Sequence, residues 1–104
     1  MFLNKYLNST YLELLYDNYE EFYINSLDEE DFNKIYILLK NYHFYYIEDI
    51  ILDYLELFTL DEKNVQHAIE VMRLTLGENF VKQIGNDMTL LDKIIELASS
   101  YEEI

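Results

Sequence analysis

The stretch "TLDEKNVQHAIEVMRLTLG", residues 59–77, reads as one whole helix with a start, a buried face and a stop. Thr59, followed three residues later by Glu62, has the form of a capping box. The hydroxyl accepts a hydrogen bond from an otherwise unpaired backbone N–H, and the acid reaches back toward the cap. Val65, Ala68, Ile69, Met72 and Leu76 then recur at helical spacing and place their side chains on one face. Gly77 stands where the pattern ends, a position that favours the left-handed backbone only glycine adopts freely.

The same grammar recurs along the chain. Thr10 precedes Glu13, Ser26 precedes Glu29, and Thr89 precedes Asp92, each pair at the capping-box interval. The expected buried stripes are Tyr11, Leu12, Leu15, Tyr19 and Phe22 after Thr10, then Phe32, Ile35, Tyr36 and Leu39 after Ser26. After Thr89 the stripe is Leu90, Leu91, Ile94, Ala98 and Tyr101. A further helix carries Ile47, Ile50, Ile51, Tyr54 and Phe58 on one face and lacks an evident cap, and "ENFVKQIG" is a short helical turn closed by Gly85 as a second left-handed C-cap. "SLDE" and "TLDE" lie 33 residues apart. The match hardly extends past the caps, so it reads as ordinary helix initiation and not as a solenoid repeat. Residues 42–47, "YHFYYI", have no partner strand and are expected to form a packed loop, with His43 among its packed residues.

Composition agrees with helices. With two glycines and no proline in 104 residues, the turn chemistry that closely spaced strands require is missing. A chain of this length with 51% apolar residues can bury roughly two-thirds of its unfolded surface without a metal or a disulfide. The expectation is an all-α fold, a single compact bundle of five or six short helices, with residues 1–104 as one helical domain. There is no cysteine, which suits a reducing, cytoplasmic setting. Neither an export signal nor an apolar run of membrane-spanning length is evident.

The charge is unevenly distributed. Residues 6–33 hold eight acids and no base, residues 41–62 hold six acids and no base, and the rest of the chain is balanced. The whole net charge of −14 therefore resides in two segments, which also contain nine of the eleven tyrosines. On a helical wheel Glu13, Asp17 and Glu20 oppose the Leu12, Leu15 and Phe22 stripe, with Tyr16 and Tyr23 at its margin. Asp49, Asp53 and Glu56 likewise oppose Ile47, Ile51 and Phe58. A face built for solubility alone would mix both signs, because like charges at helical spacing repel.

Enzyme chemistry finds little support. His43 and His67 form no zinc-spaced pair, the two glycines make no phosphate loop, and Ser9, Ser26, Ser99 and Ser100 lack an evident histidine partner. "DEEDFNK", residues 28–34, lacks the glycine and the bidentate acid of a calcium loop. A magnesium site would need Asp17 with Glu20 to face Asp49 with Asp53, whereas the wheels turn these acids outward. No cofactor is expected.

The acids and phenols together fit a docking surface. A carboxylate takes an arginine bidentately while a phenol ring stacks on the guanidinium, and carboxylates along a helix resemble a line of phosphates. The expected function is a non-enzymatic acidic binding protein, a stoichiometric inhibitor occupying the nucleic-acid groove of a basic protein. Glu13, Tyr16, Asp17, Glu20, Glu21, Tyr23, Asp28, Glu29, Glu30, Asp31, Asp49, Asp53 and Glu56 are the expected partner-binding residues. In size, acidity and lack of cysteine the chain is similar to phage anti-CRISPR proteins and to immunity proteins of nuclease toxins, a similarity of class that no motif narrows. The charge disfavours direct contact with nucleic acid or with anionic membranes. The alternatives are a helical adaptor acting through apolar faces, homodimerisation included, and a metal-dependent hydrolase.

Overall fold

The computed structural model of the chain describes residues 1–102, and among these it contains helices and turns but no strand. Seven α-helices follow one another: α1 (Ser9–Asn18), α2 (Glu21–Asn25), α3 (Glu29–Asn41), α4 (Ile47–Asp53), α5 (Glu62–Leu76), α6 (Phe80–Asn86) and α7 (Leu91–Glu102). Short 3-10 turns occupy Phe2–Lys5, Leu55–Thr59 and Met88–Leu90. The Cα radius of gyration of 13.4 Å is that of a well-packed chain of about 100 residues.

The count exceeds the expected five or six because the first predicted helix is broken. Tyr19 and Glu20 are extended, which separates α1 from α2. Electrostatics favours the break at this point. A continuous helix would carry Asp17, Glu20 and Glu21 along its interior, whereas a new start places Glu20 at the N-cap and Glu21 in the first turn, where the helix dipole favours negative charge. The break also rotates the following residues. Phe22, expected in the core, is 77% exposed, and Ile24 is buried in its place.

The predicted caps of α1, α3 and α5 are each displaced by two residues to an Asx side chain. Asn8 caps α1 by accepting from the Tyr11 N–H at 3.0 Å, Asp28 caps α3 through Asp31, and Asp61 caps α5 through Lys63 and Asn64. Asp87 accepts from the Thr89 N–H and opens the 3-10 turn before α7. Asn and Asp outrank threonine at this position, so Thr10 and Thr59 yield to them; Ser26, a cap of equal rank, is used in the turn before α3. Ser26 and Thr59 instead donate back to the Tyr23 and Glu56 carbonyls, tying off the segments before α3 and α5.

The core is built from the predicted stripes. Ala68 and Ala98 lie on the buried faces of α5 and α7, where small side chains let the two helices approach closely. Phe32 of α3 is fully buried and stacks on Phe58 with ring centroids 4.6 Å apart, while Phe2 and Tyr6 pack around it. Gly77 ends α5 where its position predicts and at a positive φ of +92°, but with ψ of −176° it is extended and not in the left-handed helical conformation expected. Gly85 is no C-cap, because α6 runs through it to Asn86. What this glycine provides is room: a Cβ there would stand 2.6 Å from Cδ2 of the Tyr45 ring.

Candidate functional site

Packing of α1 against α4 brings the two acidic segments together. The Tyr11 hydroxyl donates to Asp49 Oδ1 at 2.9 Å, and the Leu55 N–H, just past α4, donates to the Tyr19 hydroxyl at 3.4 Å. Tyr19 lies 5.9 Å from Tyr23, ring centre to ring centre. The result is a seam of half-buried phenols from α1 and α2 beside the acids of α4 and the turn that follows it.

The phenols register that surrounding charge. The hydrogen bond to Asp49 holds the Tyr11 hydroxyl above its ordinary pKa, with the charges of Asp49, Glu48 and Asp53 adding to the effect. Burial raises Tyr19 and Tyr23, and the negative charge of Glu56 raises both further. Burial likewise raises Tyr54, assisted by Asp92, Asp53, Asp87 and Glu56. Each phenol is held neutral, able to donate a hydrogen bond but not to act as a base near neutral pH.

Ten of the thirteen expected residues fall into two groups, and Asp49, Tyr16 and Tyr23 stand apart from both. Asp28, Glu29, Glu30 and Asp31 open α3, where the helix dipole stabilises them, and Asp28 is the cap itself. Two of them are neutralised within the chain, Glu29 by Lys5 at 2.7 Å and Glu30 by Lys34 at 3.7 Å. The expectation of an acidic run left without counter-charge is therefore corrected for these two, because folding brings lysines from outside the segment and from the following turn. Asp49 is half-buried and engaged by Tyr11.

Glu13, Asp17, Glu20, Glu21, Asp53 and Glu56 form the other group. All six are exposed, and among the described residues none has an ion pair or a side-chain hydrogen bond. Asp17 lies in the last turn of α1 and Asp53 closes α4, and neither helix has a base in its last turn. A carboxylate at a helix C-terminus opposes the dipole, so these two sit where local energetics disfavours them. Tyr16 is exposed and directs its hydroxyl at the Met1 sulfur, whereas Tyr23, with Asp28 and Asp31, lines a shallow cleft of about 340 Å³ that also reaches Phe58.

Tyr11 and Tyr19 belong to the seam but not to the expected set. Their helical spacing assigns them to the buried stripe, and only the position of α4 reveals that their hydroxyl ends reach polar partners. Asp17 and Glu20 do not join Asp49 and Asp53 in a ligand cluster, and among the described residues no three His, Asp or Glu side chains are arranged to hold a metal ion. "DEEDFNK" is the cap and opening turns of α3. His67 is exposed with its ring edge-on to Tyr101, as a solvated residue.

The loop between α3 and α4 departs from its expected form in one respect: His43 is exposed, not packed. It adopts φ of +64°, while its N–H bonds Lys40 O at 2.9 Å and the Phe44 N–H bonds Leu39 O at 3.1 Å. This is the paired bonding of a Schellman motif, with histidine where glycine is usual and Phe44 buried against the core. The preceding residue, Tyr42, donates to Glu70, which Arg73 also grips at 2.6 Å. Burial, then that hydrogen bond, pushes the Tyr42 phenol up to about 12.

Among the described residues no helix is long and apolar enough to cross a membrane. No family model matches the chain, and no curated protein or solved structure matches it either.

Proposed function

We propose that this protein is a non-enzymatic acidic binding protein whose α1, α2 and α4 surface docks onto a basic, nucleic-acid-handling protein and occupies its nucleic-acid groove. The observation that carries the reading is the placement of Asp17 and Asp53. Both sit against a helix dipole, without a compensating base in their helices' last turns, and Asp53 adds to the negative charge around the Tyr11 and Tyr19 phenols. Among the described residues most other acids serve the fold at helix N-termini, as hydrogen-bond acceptors or in ion pairs; these two, like Glu13 in the middle of α1, do not. Their natural counter-charge belongs to another molecule, for which they supply electrostatic steering and bidentate acceptors. The test is displacement: added to a complex of its basic partner with nucleic acid, the protein releases the nucleic acid at one equivalent. Failure to compete at any concentration that binds the partner would refute groove occupancy.

A second reading, a helical adaptor, has its own support in Phe22 and Leu74, which are 77% and 81% exposed. Binding of that kind persists at high salt and is lost on Phe22→Ser or Leu74→Ser.

A further inference from the structure

We infer that Tyr45 and Tyr46 form an arginine-binding pair, so that a basic partner stacks a guanidinium on the face of one ring beside the tilted second. This rests on the binding reading above and assigns its chemistry to a place outside the seam. The two side chains are 50% and 60% exposed. Tyr6 is engaged with Asn33, Tyr11 with Asp49 and Tyr42 with Glu70, whereas among the described residues the hydroxyls of Tyr45 and Tyr46 bond to nothing, like those of Tyr23, Tyr36, Tyr54 and Tyr101, from which the pair differs in being exposed.

Their backbone is fixed from both sides. The Schellman motif at His43 and the buried Phe44 hold one end, and Tyr46 itself is left-handed at φ of +57° before α4 begins. Tyr45 lies over Gly85, at a separation that leaves no room for a Cβ. The ring centroids are 6.1 Å apart and tilted by 56°, so the rings are not stacked face to face on each other.

Charge selects the occupant. Residues 41–62 contain no base, and Glu48 follows two positions after Tyr46, exposed. Of the chain's own cations, Lys40 lies over Tyr36, Arg73 is held by Glu70 and Glu78, and Lys82 stands on α6 three residues before the Gly85 that Tyr45 covers, with no contact to either ring among the cation–ring contacts of the described residues. An apolar occupant would leave Glu48 unpaired, and a second copy of a chain of charge −14 is repelled. Arginine fits better than lysine because its planar, weakly hydrated guanidinium stacks on a ring while its N–H groups reach a carboxylate.

The test titrates the full chain with nona-arginine and nona-lysine at low salt, following the tyrosine ring signals by NMR. The pair predicts that nona-arginine shifts the Tyr45 and Tyr46 rings and binds more tightly than nona-lysine. It also predicts that Tyr46→Leu weakens nona-arginine binding by roughly five-fold while Tyr46→Phe retains it. Gly85→Ala, which displaces the Tyr45 ring without altering either ring's chemistry, weakens it as well. If nona-arginine binds but moves only Tyr11, Tyr19 and Tyr23, the pair is refuted and the docking reading stands. If neither peptide binds, both fall, and equal binding with no effect of Tyr46→Leu overturns the pair alone.

Discussion

The Tyr11 hydroxyl and the Asp49 carboxylate meet at 2.9 Å across 38 residues of sequence, and that contact joins the two acidic segments into one surface. It gives Asp49 a neutral hydrogen-bond donor in place of a counter-ion, so the seam keeps its negative charge while gaining a fixed geometry. Tyr11→Phe therefore loosens α1 from α4 without changing net charge. Amide exchange should quicken in Ser9–Asn18 and stay unchanged in α5 and α7; uniform protection would show that the bond holds nothing.

Alkaline pH should unfold the protein. Tyr42 titrates near 12 when folded, against 10.0 for an ordinary phenol, and Tyr6, Tyr11, Tyr19, Tyr23 and Tyr54 are raised too. A folded pKa above the unfolded one contributes stability that is fully present below pH 10 and is lost as pH rises toward 12. Urea midpoints should be level to about pH 9 and drop beyond 10, and Tyr42→Phe should flatten part of that drop. On the acid side Glu70, lowered by the Tyr42 and Arg73 hydrogen bonds, gives a contribution present above pH 4.5 and lost as pH falls through its folded pKa.

The displaced caps are testable one against another. Asp61→Ala should cost about 1 kcal/mol and Thr59→Ala less than about 0.5 kcal/mol, because the aspartate and not the hydroxyl satisfies the first N–H groups of α5. Equal costs would return the cap to Thr59.

Backbone handedness predicts opposite signs at two helix ends. His43→Gly should stabilise by about 0.5–1 kcal/mol, since glycine adopts φ of +64° without a Cβ penalty. Gly77→Ala should destabilise by about 1–3 kcal/mol at φ of +92°. Thermal melts of the two variants check both.

Phe32 and Phe22 separate core from surface. Removing the fully buried Phe32 ring should cost about 3–5 kcal/mol, enough to threaten a fold of ordinary marginal stability, whereas Phe22→Ala should change it by less than about 0.5 kcal/mol.

Much of this fold is legible in sequence because periodicity reports burial directly. The stripes from Phe32 to Leu39, Val65 to Leu76 and Leu91 to Tyr101 lie inward or at the core's edge as read. Caps were legible as places but not as residues: hydroxyl and Asx candidates stand two positions apart, and their competition is decided by which backbone N–H groups each reaches. The break at Tyr19 was hidden because the apolar spacing runs through it, while the unfavourable charge that explains it is small per residue. In the site, exposure of Glu13 and Asp17 followed from the wheel, while Glu20 is exposed as expected but at the extended break between α1 and α2. The pairing of Glu29 with Lys5 and of Tyr11 with Asp49 did not, since contacts across 24 and 38 residues depend on how helices cross.

The most direct test of the central claim is capture of partners from lysate by wild type and by the combined variant Glu13→Gln, Asp17→Asn, Glu20→Gln, Glu21→Gln and Asp53→Asn, at low and high salt, after nuclease treatment. The account predicts a basic nucleic-acid-binding protein held by wild type at low salt, weakened by high salt and absent from the variant. The same protein retained by both chains at both salts would contradict it and leave those acids with solvation as their only role.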